Sequence, residues 1–420
     1  MRTNFLLSII FLTCLTNNLF AQKSYILRPD QVFDGQEMHE KWAVLVTNEK
    51  IVSAGPVAQI TSDSQKAEII DLTGCTLLPG FIEGHSHLFL HPYNETSWDD
   101  QVLKESRSYR TARATAHAKK TLMAGFTTVR DLGTEGAEYD DFGLKQAIIN
   151  GIIPGPRMII ATKALIASGS YGPKGFSADI TIPQGAEEAD GQDLIKAVRS
   201  QIGKGADVIK IYADYRWGVN GETRPTFSIE EIRLIVETAK SSGRPVVAHA
   251  GSAEGMKRAI LGGVETIEHG DGGTPEIFNM MREHDVALCP TLAAGDATSQ
   301  YRGWKKGTDP EPEKIRNKRI TFKNAMDAGV TICAGGDVGV FSHGDNAREL
   351  EMMVEYGMKP IQVLRSATSV NAKVFHQDNL GQIKPGFLAD LVVVEGKPEA
   401  DISAIRRVKL VMKNGVIFKD

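Results

Sequence analysis

The sequence predicts an α/β protein, a (β/α)8 barrel (TIM barrel) with a small β-sandwich domain built from both ends of the chain. Short apolar strands alternate with amphipathic helical stretches through the middle of the 420 residues. Eight such strands fit into about 300 residues, as a closed parallel barrel requires. Several strands also end in residue types that bind metals. An open, doubly wound sheet is the alternative, but the strand count and the scatter of these residues favour the barrel.

The first 21 residues predict a cleaved secretory signal peptide. A positively charged start at Arg2 precedes a short apolar stretch over residues 5–15, and Ala21 offers a small residue for cleavage. The stretch is too short for a spanning helix. We therefore expect a mature chain without a membrane span, in a periplasmic or secreted protein. A buried N-terminal helix is the alternative interpretation.

The β-sandwich domain is predicted over residues 22–78 and 381–420. Both regions contain short apolar strands separated by turn residues. Asn414-Gly415 is a strong signal for a tight hairpin between the last two strands. The predicted strands cover residues 25–27, 42–46, 51–54, 68–72, 387–394 and 408–417.

The barrel is predicted over residues 79–380. Its eight strands are expected at residues 81–87, 127–131, 157–162, 207–212, 245–250, 265–269, 286–290 and 330–337. Its helices are expected at residues 106–124, 190–204, 228–241, 252–262, 274–284, 312–328 and 346–356. Ser228 precedes one helix as an N-cap, with Glu231 three residues later.

Metal-binding residue types lie at the ends of five of these strands. His85-Ser86-His87 ends the first strand, where residues i and i+2 point to one face. Neutral imidazole is a good zinc ligand. The other four residues are Lys210, His249, His269 and Asp337, on strands 4, 5, 6 and 8. Taken singly, His249 or His269 is as readily explained as a core residue. Asp337 taken singly is explained as a helix N-cap. Functional groups of such barrels come from the carboxyl ends of several strands, so these six residues on five strand ends together predict a metal site.

On these residues the chain resembles the amidohydrolase superfamily. The matching segments are 79–87 and 385–393, together with Lys210, His249, His269 and Asp337. Segments 124–131 and 155–157 resemble the branch that contains imidazolonepropionase and secreted or periplasmic Xaa-Pro dipeptidases. The resemblance covers nearly all of the mature chain and implies the barrel predicted above.

The resemblance also implies two divalent metal ions, with zinc favoured and manganese or cobalt as alternatives. His85 and His87 would hold the more buried metal, and His249 and His269 the more exposed one. Lys210, carboxylated on its amine, would bridge them, since a carbamate is anionic and a free ammonium cannot bind a cation. Asp337 would bind the buried metal and shuttle a proton from the bridging hydroxide. The six implied ligands are His85, His87, Lys210, His249, His269 and Asp337.

The implied reaction is hydrolysis of an amide C–N bond, with a dipeptide of the Xaa-Pro kind or an N-acyl amino acid as substrate. Tyr212 faces the same side of strand 4 as the lysine and would bind the substrate carbonyl or carboxylate, with packing as the alternative. Tyr171 stands where dipeptidases of this branch commonly have a loop histidine, and would replace it as an oxyanion donor. His343 follows strand 8, is expected near the barrel mouth, and is a further candidate for binding the substrate. Arg216 and Arg224 follow strand 4, as carboxylate ligands or as solvated side chains.

Two other functions remain open at this stage. A mononuclear cyclic-amide hydrolase or deaminase of the same superfamily would often lack the bridging lysine and carry a glutamate soon after the strand-5 histidine. Here Ala250-Gly251-Ser252 follows that histidine. A non-catalytic periplasmic binding protein has no need of six ligands. The net charge of −4 argues against a nucleic-acid partner, and a homo-oligomer remains open.

Overall fold

The computed structural model describes residues 23–60, 67–177 and 179–419. The predicted signal peptide lies outside these described residues. Within them, none of the helices combines the length and the apolar character needed to cross a membrane.

The described chain contains nineteen strands and twelve α-helices. The strands are β1 (Ser24–Phe33), β2 (Met38–Glu40), β3 (Trp42–Thr47), β4 (Lys50–Pro56), β5 (Glu68–Pro79), β6 (Phe81–Ser86), β7 (Phe126–Asp131), β8 (Arg157–Ile160), β9 (Leu165–Ile166), β10 (Glu187–Glu188), β11 (Ile209–Tyr212), β12 (Asp214–Arg216), β13 (Thr223–Pro225), β14 (Val246–Ala250), β15 (Thr266–His269), β16 (Ala287–Cys289), β17 (Leu391–Glu395), β18 (Val408–Lys413) and β19 (Val416–Lys419). The helices are α1 (Trp98–Lys104), α2 (Arg107–Met123), α3 (Asp140–Ile149), α4 (Asp193–Gly203), α5 (Ile229–Lys240), α6 (Ala253–Gly262), α7 (Pro275–Glu283), α8 (Leu292–Tyr301), α9 (Glu313–Asp327), α10 (Ala347–Glu355), α11 (Pro360–Arg365) and α12 (Asn371–Val374).

Strands from the two ends of the chain share one mixed sheet. Its order is β19-β18-β17-β5-β1-β3-β4, with β2 paired to β1. Strand β5 joins the two ends, since it pairs in parallel with β1 and antiparallel with β17. Apolar side chains on one face of the sheet form a cluster of their own, which includes Leu27, Val44, Leu77, Leu391 and Leu410.

The predicted hairpin turn at Asn414-Gly415 joins β18 to β19. Gly415 has a φ of +71°, and a Cβ there would lie 1.6 Å from the main-chain oxygen of Asn48. We expect Gly415→Ala to lower the free energy of unfolding by more than about 1 kcal/mol, because strain and steric overlap act together. Gly386→Ala is the matched control, since its φ is +90° but nothing lies within 4 Å of the added methyl group. Thermal unfolding that is equal for the two variants would contradict the steric argument.

The remaining long strands are parallel and lie in two sheets. One has the order β6-β7-β8 and the other β10-β9-β11-β14-β15-β16. Their residues are almost all buried, as expected for strands covered on both faces. Main-chain hydrogen bonds from Asp207 and Val208 to the oxygen of Ile160 connect the edge of one sheet to the start of β11.

The eighth predicted strand, residues 330–337, forms only isolated bridges. Ile332 pairs with Leu288 in β16, and Val338 pairs with Ser86 in β6. Gly335 explains the tight approach to β6, because a Cβ there would lie 2.7 Å from the His85 nitrogen. Regular pairing ends at this point, since Asp337 has a left-handed φ of +63°. The segment still links the two parallel sheets.

The seven predicted helices are present, with ends that differ from the prediction by at most three residues. The predicted cap of α5 is a complete capping box between Ser228 and Glu231. The sequence does not predict five helices, α1, α3, α8, α11 and α12. The apolar residues of α3 and α8 form no continuous stripe on one face, and α1, α11 and α12 span seven residues or fewer.

Candidate active site

Three predicted ligands meet where β6, β15 and segment 330–337 end. Donor atoms of His85, His269 and Asp337 all lie within 4.8 Å of one another. Asp337 Oδ1 is 3.3 Å from His87 Nε2 and 3.5 Å from His85 Nε2. Two imidazoles and a carboxylate therefore point at one position, as they would around a divalent ion.

The other two predicted ligands extend this cluster across β11 and β14. The His249 ring lies 4.5 Å from the His269 ring, measured between centroids. Lys210 is only 1% exposed. Within residues 23–60, 67–177 and 179–419, its ammonium makes no hydrogen bond or ion pair. A buried amine without a partner is expensive when charged, and burial lowers the pKa of Lys210.

Burial also keeps most of the imidazoles neutral. Together with the nearby Lys210 charge, it lowers the pKa of His85 to about 4 and that of His249 to about 3. Burial and the neighbouring His249 ring lower the pKa of His269 well below its usual value. Although burial acts in the opposite direction, Asp337 raises the pKa of His87 to about 9. Neutral imidazoles have a free nitrogen lone pair for a metal, and at His87 a metal would replace the proton.

A buried carboxylate fixes the orientation of His85. Glu268 Oε2 is 2.8 Å from His85 Nδ1. Its other oxygen accepts hydrogen bonds from Arg130 (2.7 Å) and Thr266 (2.5 Å). Burial alone would raise the pKa of Glu268, but Arg130 and His85 together lower it strongly, so it stays ionised. The arrangement directs His85 Nε2 toward Asp337, as in carboxylate–histidine–metal units.

Two further histidines are oriented in the same way. His87 Nδ1 lies 2.8 Å from the main-chain oxygen of Gly133. His269 Nδ1 lies 2.7 Å from the Thr291 hydroxyl. In each ring the Nδ1 contact leaves Nε2 available to a metal.

The backbone at the site is strained and held by a second buried carboxylate. His269 and Asp337 have left-handed φ angles of +74° and +63°. Such conformations cost about 1 kcal/mol or more outside glycine and concentrate at functional sites. Glu83 accepts hydrogen bonds from the Gly336 nitrogen (2.8 Å) and the Asn346 amide (2.9 Å). It thereby fixes the turn that presents Asp337.

The comparisons with known proteins agree with this geometry. Residues 76–418 match the model of the Amidohydrolase family. The chain belongs to this family. This match confirms the resemblance seen in the sequence. The strained turn and the histidine cluster described above are therefore features of an amidohydrolase.

Relatives of this amidohydrolase include ochratoxinase of Aspergillus niger, with 30% identity over 92% of this chain and 84% of the relative. Imidazolonepropionase of Cutibacterium acnes is 23% identical, over 83% of each chain. Among solved structures, a Xaa-Pro dipeptidase with bound methionine has a TM-score of 0.83 and 32% identity, covering 95% of this chain and 100% of the other. A prolidase complexed with N-methylphosphonate-L-proline has a TM-score of 0.80 and 30% identity, covering 94% and 100%.

We expect Glu268→Gln to weaken metal binding by about 10- to 100-fold, because removal of such a carboxylate loosens its histidine. Chelator competition on purified protein measures this affinity. Glu265→Gln is the matched control on the same strand segment, since Glu265 contacts His376 (2.7 Å) away from the cluster. An unchanged metal affinity in Glu268→Gln would show that the amidohydrolase does not use this contact to hold its metal.

The two predicted tyrosines lie beside the histidine cluster of the amidohydrolase. The Tyr212 ring stacks on His249 at 4.6 Å, and the Tyr171 ring follows at 4.5 Å. Tyr171 donates its proton to Glu135 at 2.6 Å, so this hydroxyl is engaged and presents a lone pair instead. The Tyr212 hydroxyl makes only long contacts, 3.3 Å each to Glu135 and Tyr171. Tyr212 is therefore the freer hydrogen-bond donor of the two.

Three predicted substrate-binding residues lie apart from this cluster. Arg224 is exposed on the β12–β13 hairpin and pairs with Glu222 at 3.3 Å, and Arg216 is exposed on the same hairpin. His343 is buried, contacts the Leu90 oxygen (3.0 Å) and stacks on the His117 ring at 4.3 Å. Burial and that neighbouring ring lower the pKa of His343 well below its usual value.

Sequence reasoning missed four charged residues that shape the site, and three of them carried a signal. Glu83, Arg130 and Glu268 interrupt apolar strands, where an unpaired charge would be costly. A charge inside a buried strand predicts buried hydrogen-bonding partners. Here Glu268 pairs with His85 and Arg130, whereas Glu83 accepts hydrogen bonds from the main chain and from the Asn346 amide. Glu135, the fourth, lies in a loop and carried no comparable signal.

Proposed function

We propose that this amidohydrolase cleaves the amide bond of a dipeptide of the Xaa-Pro kind or of an N-acyl amino acid, using two divalent metal ions. The observation that carries the proposal is the cluster of His85, His269 and Asp337 close to the buried Lys210. Among the described residues, the Lys210 amine makes no hydrogen bond or ion pair. A Xaa-Pro dipeptidase and a prolidase among the similar structures support the same chemistry.

The proposal includes the predicted barrel. Hydrogen bonds join β6 to segment 330–337 on one side, from Gly84 to the Ala334 oxygen and from Asp337 to the His85 oxygen. On the other side, the main-chain nitrogens of Asp207 and Val208, just before β11, donate to the Ile160 oxygen in β8. We infer that seven of the parallel strands and segment 330–337 form one ring of eight, with the chain-end sheet as its β-sandwich domain. The seven strands are β6, β7, β8, β11, β14, β15 and β16. The site then lies at the carboxyl ends of the ring strands.

The residues fit a pair of zinc-like ions. Imidazole nitrogens with carboxylate oxygens are the donors that zinc prefers, and manganese or cobalt accept them as well. Lys210 fits the bridging role as a carbamate, because its buried amine has a lowered pKa and the neutral amine reacts with CO₂. The proposed ligands are the six predicted from the sequence.

Bound metal ions would polarise the scissile carbonyl and lower the pKa of the water that attacks it. Asp337 accepts the proton from this water, since its carboxylate lies between His85 and His87 at the centre of the cluster. The same group then donates the proton to the departing nitrogen, so that the amine leaves neutral. Tyr212 donates a hydrogen bond to the carbonyl oxygen as negative charge develops there.

A second candidate is a mononuclear cyclic-amide hydrolase. It is favoured by the compact group of His85, His269 and Asp337, which would hold a single ion without Lys210.

A substrate screen with metal analysis tests the proposal. Purified enzyme is assayed against dipeptides, N-acyl amino acids and cyclic amides, and the metal content of the same sample is measured. We expect about two metals per chain and hydrolysis of the first or second class. Full activity with one metal and a cyclic amide would favour the mononuclear candidate. Hydrolysis of none of the three classes by metal-loaded enzyme would refute the proposal.

A further inference from the structure

A buried carboxylate surrounded by aromatic rings lies next to the histidine cluster. Glu135 follows β7 and is 3% exposed. Its Oε2 accepts hydrogen bonds from the Tyr171 hydroxyl (2.6 Å) and the Trp98 indole nitrogen (2.9 Å). Its Oε1 accepts only the long contact from Tyr212, at 3.3 Å. Glu135 Oε1 therefore accepts no short hydrogen bond from the described residues.

The negative charge of Glu135 has no cationic partner in the part of the chain that the structure describes. Arg110 lies close, but its guanidinium donates to the main-chain oxygens of Glu135 (2.8 Å), Thr134 (2.8 Å) and Phe89 (3.0 Å). All side-chain donors to the Glu135 carboxylate are neutral. A buried, unpaired carboxylate is costly, so a cation that binds there gains more than it would in water.

The rings around Glu135 favour an organic cation. Tyr171 lies 5.1 Å from Trp98, 4.5 Å from Tyr212 and 4.8 Å from Tyr215, measured between ring centroids. Aromatic faces attract ammonium groups, and the Tyr171 oxygen adds a lone pair. A hard metal ion would require more oxygen ligands than this pocket contains.

The backbone supports a positioning role for this loop. Glu135 has a left-handed φ of +50°, which is unfavourable for a glutamate. The hydrogen bonds from Arg110 to the main chain of residues 134 and 135 hold that conformation. The strain keeps the carboxylate turned toward Tyr171 and Tyr212, whose ring stacks on His249.

We propose that Glu135, Tyr171 and Tyr212 form the subsite for the free α-ammonium group of the residue on the amino side of the scissile bond. When the Tyr212 hydroxyl turns to the substrate carbonyl, Glu135 Oε1 becomes free to accept an ammonium N–H. The inference rests on the proposed function and decides between its two substrate classes. A dipeptide supplies the missing cation, whereas an N-acyl amino acid would leave Glu135 unpaired.

The test compares Ala-Pro with N-acetyl-Ala-Pro, and extends the same pairing to other carboxyl-terminal residues. Glu135→Gln should lower kcat/KM for the free dipeptide by about 10- to 100-fold, the loss of a charge-assisted hydrogen bond. In the same variant, kcat/KM for the acetylated compound should change by less than about threefold. Glu138→Gln is the matched control from the same loop, since Glu138 pairs with Lys163 at 3.1 Å.

An equal loss on both substrates would overturn the subsite, because it would mean that Glu135 only holds Tyr171 in place. A wild-type preference for the acetylated compound would overturn it as well. Calorimetric binding of both compounds to Asp337→Asn, alone and combined with Glu135→Gln, separates this inference from the proposed function. Tighter binding of the free dipeptide that depends on Glu135 supports the subsite even without hydrolysis, whereas equal or absent binding refutes it.

Discussion

Replacing Lys210 with alanine should remove most of the bound metal and nearly all activity. The amine is buried on β11, next to the strand β14 that carries His249. It makes no hydrogen bond or ion pair within the described part of the chain, so a bridging carbamate is the role its position allows. Without that bridge, the two histidine pairs lose their shared anionic ligand. We expect the metal content to fall from about two ions per chain to one or fewer. Elemental analysis and kcat, measured on one preparation, check this result.

Small carboxylic acids provide a second measurement on the same variant. The cavity left by the lysine side chain would accept a short carboxylate in place of the carbamate, so formate or acetate should restore part of the metal content and activity. Lys163→Ala is the control, because that lysine pairs with Glu138 away from the histidines. Normal metal content and activity in Lys210→Ala would rule out the bridging role.

Replacing Asp337 with asparagine should lower kcat by about 10²- to 10⁴-fold while changing substrate affinity much less. The amide oxygen can still contact a metal, but the group cannot accept a proton at neutral pH. Burial alone would raise the pKa of Asp337, yet His85 and His87 lower it to about 2, so the carboxylate is ionised and ready to accept a proton.

Metal content must be measured on the same sample, since Asp337 is also a proposed ligand. Asp345→Asn is the matched control on the following loop, where Asp345 pairs with Arg406 (2.6 Å). If Asp337→Asn retains its metal and the wild-type kcat, another group carries the proton. Tyr171 is then a poor substitute, because its hydroxyl already donates a hydrogen bond to Glu135 (2.6 Å).

The sequence by itself determined which residue types end the parallel strands. Hydrophobic runs and the spacing of His85 and His87 are local properties, and they predict strands and a shared face without knowledge of the fold. The same holds for the Ser228 cap and the Asn414-Gly415 turn, both set by short-range hydrogen bonding and by φ.

Only the tertiary structure decided which charges pair inside the molecule. Glu268 meets His85 from a strand 183 residues away, and Arg130 reaches the same carboxylate. Glu135 and Tyr171 meet from two loops, which turns a predicted oxyanion donor into an acceptor. Arg224, predicted to bind the substrate, lies on an exposed hairpin and pairs with Glu222. These contacts depend on how separate strands and loops pack, and side-chain pairing across such distances leaves no local pattern in the chain.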